Sequence, residues 1–266
     1  MSSLKAVIYM VGNHKRARII ADAMRMGFKR TGVDHVVRQR FTGVEGDFAV
    51  AYGWNHEAVF KHYGKYIYFD LGYWDRKPKG QPKEGLHRMS INSWSPVDTM
   101  VYDRPGDRLE ATFQGLELRN SKGREILIAG MSAKAANVYG FNYYQWETEF
   151  EKTIRPFTKR VIVQRPKPTK TVPGIPVQEA LQRSSLVASY HSNIAVEAMI
   201  EGVAVYTERG IGTLVSIKDL REIDTARPPM EDERLAFLRN IAYCQWAPSE
   251  MRTGEVWNHA KDRLLR

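Results

Sequence analysis

The sequence has little cysteine and no long apolar run. Its 266 residues include one cysteine, Cys244, which excludes an internal disulfide and any zinc site built on several cysteines. No stretch of about 18 consecutive apolar residues is present, so we expect no insertion into a membrane. The residues from Met1 to Val11 lack the basic segment and cleavage site of an export signal. These absences predict a cytoplasmic protein, which we expect to be a monomer.

Several catalytic motifs are also missing. The sequence contains no Gly-x-Ser-x-Gly, which argues against a serine hydrolase of the α/β class. It contains no Gly-x-x-x-x-Gly-Lys-Ser/Thr, which argues against a P-loop kinase. An Asp-x-Asp motif is absent too, and this counts against a metal-dependent, single-domain sugar transferase. We therefore predict no metal site.

Positive charge is in excess. The chain has 40 Lys and Arg against 30 Asp and Glu, a net charge of +10. Such a field attracts phosphate backbones and anionic polysaccharides. Between Lys15 and Arg40 there are eight Lys or Arg and two Asp, which predicts a basic face. The alternative is the solvated side of an amphipathic helix from Ala17 to Phe28.

Strand-like and helix-like segments alternate in both halves of the chain, which predicts an α/β fold. The predicted strands are Lys5–Val11, Phe48–Tyr52, Tyr66–Asp70, His87–Pro96, Glu125–Gly130, Arg160–Arg165 and Gly212–Ser216. The polar, Gly-rich stretch from Arg104 to Arg124 marks a boundary between two Rossmann-like lobes that face an interlobe cleft. We predict an N-terminal lobe at 1–122, a second lobe at 123–230, and closing C-terminal helices at 231–266.

The segment from Leu186 to Tyr206 predicts a phosphate-binding turn. An apolar strand leads through His191, Ser192 and Asn193 directly into a helix that stops at Gly202. The start of such a helix presents unpaired N–H groups and a positive dipole end, and Ser192 or Asn193 is placed to cap it. Glu197 follows one turn later, where a carboxylate can hold ribose hydroxyls. The alternative is an ordinary βαβ unit without a ligand.

Other candidate residues follow predicted strands, where ligands gather in open α/β sheets. Arg165 and Lys167 emerge from one strand, flanked by prolines that keep the loop extended. Asp70 ends another, and we predict that it is the general base of a reaction. Its alternative role is a turn residue, and the competing candidate bases are Glu45, Asp47 and His14.

Three segments together resemble a known family. They are Gly130-Met131-Ser132, Arg165-Pro-Lys-Pro168, and the run from His191 to Ala198 that is followed by Gly202. Residues 123–220 resemble the donor lobe of a two-lobed, GT-B-type glycosyltransferase. The resemblance is greatest to capsule-polysaccharide transferases and to phage-encoded transferases that modify DNA.

The resemblance implies a nucleotide-sugar donor, with a UDP-sugar as cosubstrate and no other cofactor required. In this family the diphosphate lies between the lobes, the strand–turn–helix grips phosphate, and the helical glutamate grips ribose. The donor-binding residues implied are Gly130, Ser132, Arg165, Lys167, His191, Ser192, Asn193 and Glu197. Arginine, lysine and a helix N-terminus also supply what a departing nucleotide needs in the absence of a metal.

The positive net charge favours DNA as the acceptor of the sugar. We expect a glycosyltransferase that acts on hydroxymethylated pyrimidines of DNA, with Asp70 as base, in the host cytoplasm if the gene is phage-encoded. One alternative is a capsule or polysaccharide glycosyltransferase, although we find no convincing amphipathic helix for membrane contact. Another is a non-catalytic nucleic-acid-binding protein on a degenerate transferase fold.

Overall fold

The computed structural model of the protein describes residues 4–10, 14–53, 57–76, 85–168 and 174–266. The chain forms two compact units, and each unit has a β-sheet of its own. The first unit combines Met1–Gln114 with Arg239–Arg266, and the second is Gly115–Leu238. The boundaries predicted from the sequence lie at residues 122/123 and 230/231. Residues 239–266 belong to the first unit and supply one strand to its sheet. In the described residues no helix has the length and apolar character needed to cross a membrane.

The first unit is built on a six-stranded mixed sheet of order β10-β5-β4-β3-β1-β2. Strands β1 to β4 run parallel, whereas β5 is antiparallel to both of its neighbours. The strands are β1 (Lys5–Tyr9), β2 (Asp34–Arg38), β3 (Phe48–Tyr52), β4 (Tyr66–Leu71), β5 (His87–Ile91) and β10 (Gln245–Trp246). All five residues of β3 are buried, because apolar clusters cover both faces of the sheet.

Among the described residues, five α-helices lie wholly in the first unit. They are α1 (Lys15–Thr31), α2 (Glu57–His62), α3 (Asp107–Thr112), α9 (Pro248–Thr253) and α10 (Glu255–Leu265). The predicted helix from Ala17 to Phe28 is confirmed and extends at both ends. Trp257 of α10 stacks on Phe48 with 5.2 Å between ring centroids, which fixes the last helix against the sheet.

Three expectations about elements need correction. The predicted helix from Glu250 to Arg266 is two helices, α9 and α10, separated by Gly254. The segment from His87 to Pro96 is a strand only as far as Ile91, and it is fully buried because it lies between β4 and β10. Strand β2 was not predicted, because it is a short, half-exposed edge strand within the basic stretch.

The second unit is built on a four-stranded parallel sheet of order β7-β6-β8-β9. The strands are β6 (Glu125–Ala129), β7 (Ile162–Arg165), β8 (Ser184–Ser189) and β9 (Ala204–Thr207). The helices are α4 (Ala133–Val138), α5 (Gln145–Ile154), α6 (Val177–Gln182) and α7 (Ile194–Glu201), and α8 (Glu231–Ala242) follows them. The α/β class is confirmed.

The strand expected at Gly212–Ser216 is wrong. Ile211–Leu214 form a 3₁₀ turn instead, and Ser216 makes only an isolated bridge with Val205. The Ser216 hydroxyl accepts a hydrogen bond from the Thr207 amide at 2.9 Å, so a side chain replaces the ladder beyond the end of β9.

Candidate functional site

The turn between β8 and α7 has the form expected of an anion-binding site. Helix α7 begins at Ile194, whose amide donates to the Ser192 hydroxyl at 3.2 Å. Asn193 holds the N-cap position, but its side chain makes no capping hydrogen bond. Ser192 therefore provides the cap, and the first turn of α7 directs amides and a positive dipole end toward the edge of the sheet.

The turn after β6 lies beside the end of β7. The Gly130 amide donates to the Arg165 carbonyl at 2.9 Å. A Cβ on Gly130 would lie 3.2 Å from that carbonyl oxygen and 3.3 Å from a Glu147 carboxylate oxygen, so a side chain there is disfavoured. Ser132 caps α4 by accepting from the Ala135 amide at 3.2 Å.

Glu147 is a site residue that the sequence did not reveal. It lies in the first turn of α5, is 1% exposed, and accepts a hydrogen bond from the Met131 amide at 2.6 Å. The carboxylate thereby holds the Gly130–Met131 turn in place. Only its hydrogen bond to Met131 identifies Glu147 as part of the site. In the sequence it is an ordinary glutamate early in a helix.

Arg165 and Glu197 bring the end of β7 and helix α7 into one electrostatic environment. Arg165 is 9% exposed, and its Nε donates to the Ile175 carbonyl at 2.8 Å. Burial lowers the pKa of Arg165, and the negative charge of Glu197 opposes that shift. Lys167, two residues further on, is exposed. The ends of β6, β7 and β8 thus place Gly130, Arg165 and His191 along one edge of a parallel sheet.

Aromatic rings orient His191. Its ring lies 5.7 Å from that of Tyr139, which in turn packs on Tyr190 at 4.8 Å between centroids. Gly210 lies on the imidazole, since a Cβ there would fall 2.7 Å from its Cδ2. Arg209 donates from Nε to the Tyr190 hydroxyl at 2.9 Å, which places a further cation beside this turn.

In the first unit, Asp70 lies near the end of β4 within an ion pair. Its Oδ2 accepts from Arg88 Nη2 at 2.9 Å and from the Tyr68 hydroxyl at 3.0 Å, and its Oδ1 accepts from the Leu71 amide at 2.8 Å. Burial acts to raise the pKa of Asp70, but the charge and hydrogen bond of Arg88 outweigh it and hold the pKa below its usual value. The low pKa keeps the carboxylate ionised. Its side chain is 23% exposed, so the carboxylate is reachable from solvent.

Two histidines flank a tyrosine at the same edge of this sheet. The rings of His14 and His87 lie 5.4 Å and 5.8 Å from the ring of Tyr52, measured between centroids. Burial lowers the pKa of His87 to about 4, and the charge of Arg16 adds to this effect. His87 is therefore neutral at physiological pH. His14 caps α1, because its Nδ1 accepts from the Ala17 amide at 3.4 Å.

The other candidate bases are placed differently. Asp47 precedes β3 and accepts from the Lys5 amide at 2.7 Å, so it lies at the amino end of the parallel strands. Glu45 forms ion pairs with Arg38 at 2.7 Å and Lys5 at 3.3 Å. Hydrogen bonding from Arg38 is the main reason that the pKa of Glu45 is low. Within the described residues no three His, Cys, Asp or Glu side chains cluster as metal ligands.

The fold of this chain is similar to that of a known protein structure. No protein-family model matches this chain, and no curated protein sequence matches it. The solved structure of a Thermosulfurimonas dismutans KpsC, a beta Kdo 2,7 transferase, matches with a TM-score of 0.50 and 13% identity, over 96% of this chain and 99% of that one. A beta Kdo 2,4 transferase KpsC from the same organism matches with a TM-score of 0.45 and 8% identity, over 88% and 89%. At this identity the likeness to the first structure concerns the fold alone.

Proposed function

We propose that the protein is a glycosyltransferase that moves a sugar from a nucleotide-sugar donor to a hydroxyl of a glycan. One observation carries the proposal. A helix N-terminus, the Gly130–Met131 turn held by Glu147 and the buried Arg165 lie at one edge of the second sheet. The whole-length likeness of fold to a Kdo transferase supports this assignment. The arrangement of two lobes about a cleft is part of the proposal.

The donor binds to the second unit. Arg165, Lys167 and the amides at the start of α7 neutralise the phosphate, with Ser192 and Asn193 at the turn and His191 held beside them by Tyr139. Gly130 and Ser132 shape the neighbouring turn, which Glu147 braces. Glu197 holds ribose hydroxyls. This set of groups is suited to the charge that a departing nucleotide develops.

Asp70 takes the proton of the acceptor. The acceptor oxygen forms a bond to the anomeric carbon, the bond from that carbon to the phosphate oxygen breaks, and its electron pair leaves with the nucleotide. Arg88 keeps Asp70 ionised, so the base form is available over a wide range of pH. The same ion pair weakens its basicity, which makes the contact with Arg88 a determinant of rate.

A glycan is the better supported acceptor. The net charge of +10 suits an anionic polysaccharide as well as it suits DNA, so charge alone does not separate the two. The solved structure with the similar fold is named as a sugar transferase of the Kdo type, and Kdo is an acidic sugar. The DNA acceptor expected from the sequence has no comparable support, and it becomes the second arm of the test.

The test is a transfer assay with matched acceptors. The protein is incubated with UDP-hexoses and nucleotide-activated Kdo, each with neutral oligosaccharides, acidic oligosaccharides or hydroxymethylated DNA, and products are identified by mass spectrometry. We expect a glycosylated oligosaccharide, together with slow donor hydrolysis when acceptor is omitted. If modified nucleosides form and no glycan product does, the acceptor is DNA and not a glycan. Binding of polyanions without hydrolysis of any donor would favour the non-catalytic alternative and overturn the proposal.

A further inference from the structure

Two adjoining cavities open in the first unit beside β4 and β5. Their volumes are about 540 and 500 Å³, within the range of small-molecule sites. They share four lining residues, Leu86, Ala111, Thr112 and Ala247. The carbonyl of one lining residue, Leu86, accepts from the amide of Gly72 at 3.0 Å, and Gly72 lies two residues after Asp70 in the chain. None of the donor-binding residues belongs to it.

An aromatic wall with a fixed orientation lines the larger cavity. The rings of Trp74 and Phe113 lie 5.4 Å apart with 59° between their planes. The Trp74 indole donates to the Thr112 hydroxyl at 3.3 Å, and that hydroxyl donates to the Arg108 carbonyl at 2.7 Å. Trp74 is 7% exposed and Phe113 is half-buried, so the ring surface that meets the C–H face of a sugar is mainly that of Phe113.

Hydrogen-bonding groups surround this wall. In the part of the chain that the structure describes, the Gln114 amide and the Ser249 hydroxyl make no hydrogen bond. Asp107 accepts from the Tyr243 hydroxyl at 2.6 Å and from the Arg108 amide at 2.7 Å, in both cases through Oδ1. An amide, a hydroxyl and a carboxylate beside aromatic rings are well matched to a polyhydroxylated ligand.

The charge of the lining opposes an anion. Among the residues that the structure describes, three carboxylates line the two cavities, those of Asp75, Asp107 and Glu250, and one arginine, Arg108. Arg108 is already engaged, because Glu250 binds it through two contacts of 2.5 and 3.0 Å and its guanidinium lies 4.2 Å from the Trp246 ring. Within this described lining an acidic sugar would thus meet more carboxylates than cations, and the arginine is already paired.

We propose that the double cavity binds an uncharged sugar ring of the acceptor glycan. This inference rests on the proposed function and adds the class of acceptor residue to it. The ring packs on Trp74 and Phe113, while Gln114, Ser249 and Asp107 bind its hydroxyls. Because the cavity adjoins the strand end that carries Asp70, the bound ring orients the next hydroxyl of the acceptor.

The experiment measures direct binding of cellotriose and of acidic trigalacturonate by calorimetric titration, without donor. Gln114→Ala removes a hydrogen-bonding group, and Phe113→Leu keeps apolar volume but removes the ring. We expect each to weaken cellotriose binding by about 3- to 10-fold, the equivalent of one hydrogen bond or ring contact. Trigalacturonate should bind more weakly than cellotriose to the wild-type cavity.

Matched variants separate this inference from the proposed function. Gln39→Ala changes the same residue type in the same unit, beyond β2 at the opposite edge of the sheet, and Phe157→Leu changes an exposed phenylalanine of the second unit. Both should bind cellotriose as the wild type does. Equal affinity in the cavity variants, no cellotriose binding at all, or preference for trigalacturonate would overturn the inference. Donor hydrolysis, assayed in parallel, decides the proposed function by itself.

Discussion

The two sheets collect functional side chains in different ways. Every strand of the second sheet is parallel, so residues that follow the strands all reach one edge. The first sheet is mixed, because β5 runs antiparallel to β4 and starts at the edge where the parallel strands end. His87 and Arg88 begin β5, yet they lie beside Leu71 and Asp70 at the end of β4.

The carboxyl edges of the two sheets therefore carry groups suited to different chemistry. The second unit offers backbone amides, an arginine and small turn residues, which suit a phosphate. The first unit offers a carboxylate in an ion pair and a neutral imidazole, which suit proton transfer. A mixed sheet makes this pairing possible, because an antiparallel strand places Arg88 directly opposite Asp70.

The largest expected effect is on the acceptor side. Asp70→Asn preserves shape but removes basicity, so transfer should fall by about 10²- to 10⁴-fold while donor affinity stays near wild type. Steady-state kinetics and a donor titration measure the two quantities. Asp34→Asn, at an exposed position of β2, is the control and should change neither. A turnover number within a few-fold of wild type would remove Asp70 from the mechanism, and His14 would be the next base to test.

A smaller effect is expected for the buried arginine of the donor side. Arg165→Ala should weaken donor binding by about 1.5–3 kcal/mol, the scale of a charge-assisted hydrogen bond. Calorimetric titration with the donor nucleotide gives the value, and a melting curve checks that loss of the contact with Ile175 has not unfolded the protein. Arg155→Ala removes an exposed arginine of the same unit that pairs with Glu151, and it should bind the donor normally. Unchanged affinity of the Arg165 variant would place the phosphate elsewhere.

Glu197 should contribute less, because in our proposal it binds neutral hydroxyls. Glu197→Ala should raise the donor KM by about 5- to 10-fold with little change in turnover number. The comparison is Glu222→Ala, an exposed glutamate in the same unit. Loss of the cooperative melting transition in the Glu197 variant would make this residue structural and would refute the ribose contact.

The smallest effect is expected for the basic face of α1. Removing Arg25 and Arg30 together should flatten the dependence of log affinity on log salt by about two for a bound polyanion. A double variant of Arg155 and Arg221 removes the same charge from the second unit and should leave the slope unchanged. Equal slopes for both variants would show that polyanions do not favour the first unit.

Apart from β2, the sequence predicted the parallel strands well, because each of them is a short apolar run that ends in a polar or glycine turn. Gly130, Arg165 and His191 could be placed at one edge for that reason. His87 and Glu147 were missed because their roles depend on distant partners: the ring of His87, at the start of β5, lies beside Tyr52 of β3, and Glu147 accepts from the Met131 amide. The salt bridge of Asp70 was likewise invisible, since nothing local pairs it with Arg88.

The first unit is discontinuous along the chain, with the whole second unit inserted between its two parts. Met251, Val256, Trp257, Ala260 and Leu264 complete its apolar core, although they are translated after residues 115–238. During synthesis the second unit has all of its residues available while the first sheet still lacks one covering layer. The second unit can thus fold while part of the apolar core of the first unit stays exposed until α9 and α10 have been made. Ribosome-bound intermediates should bury the Trp146 region before that of Trp257.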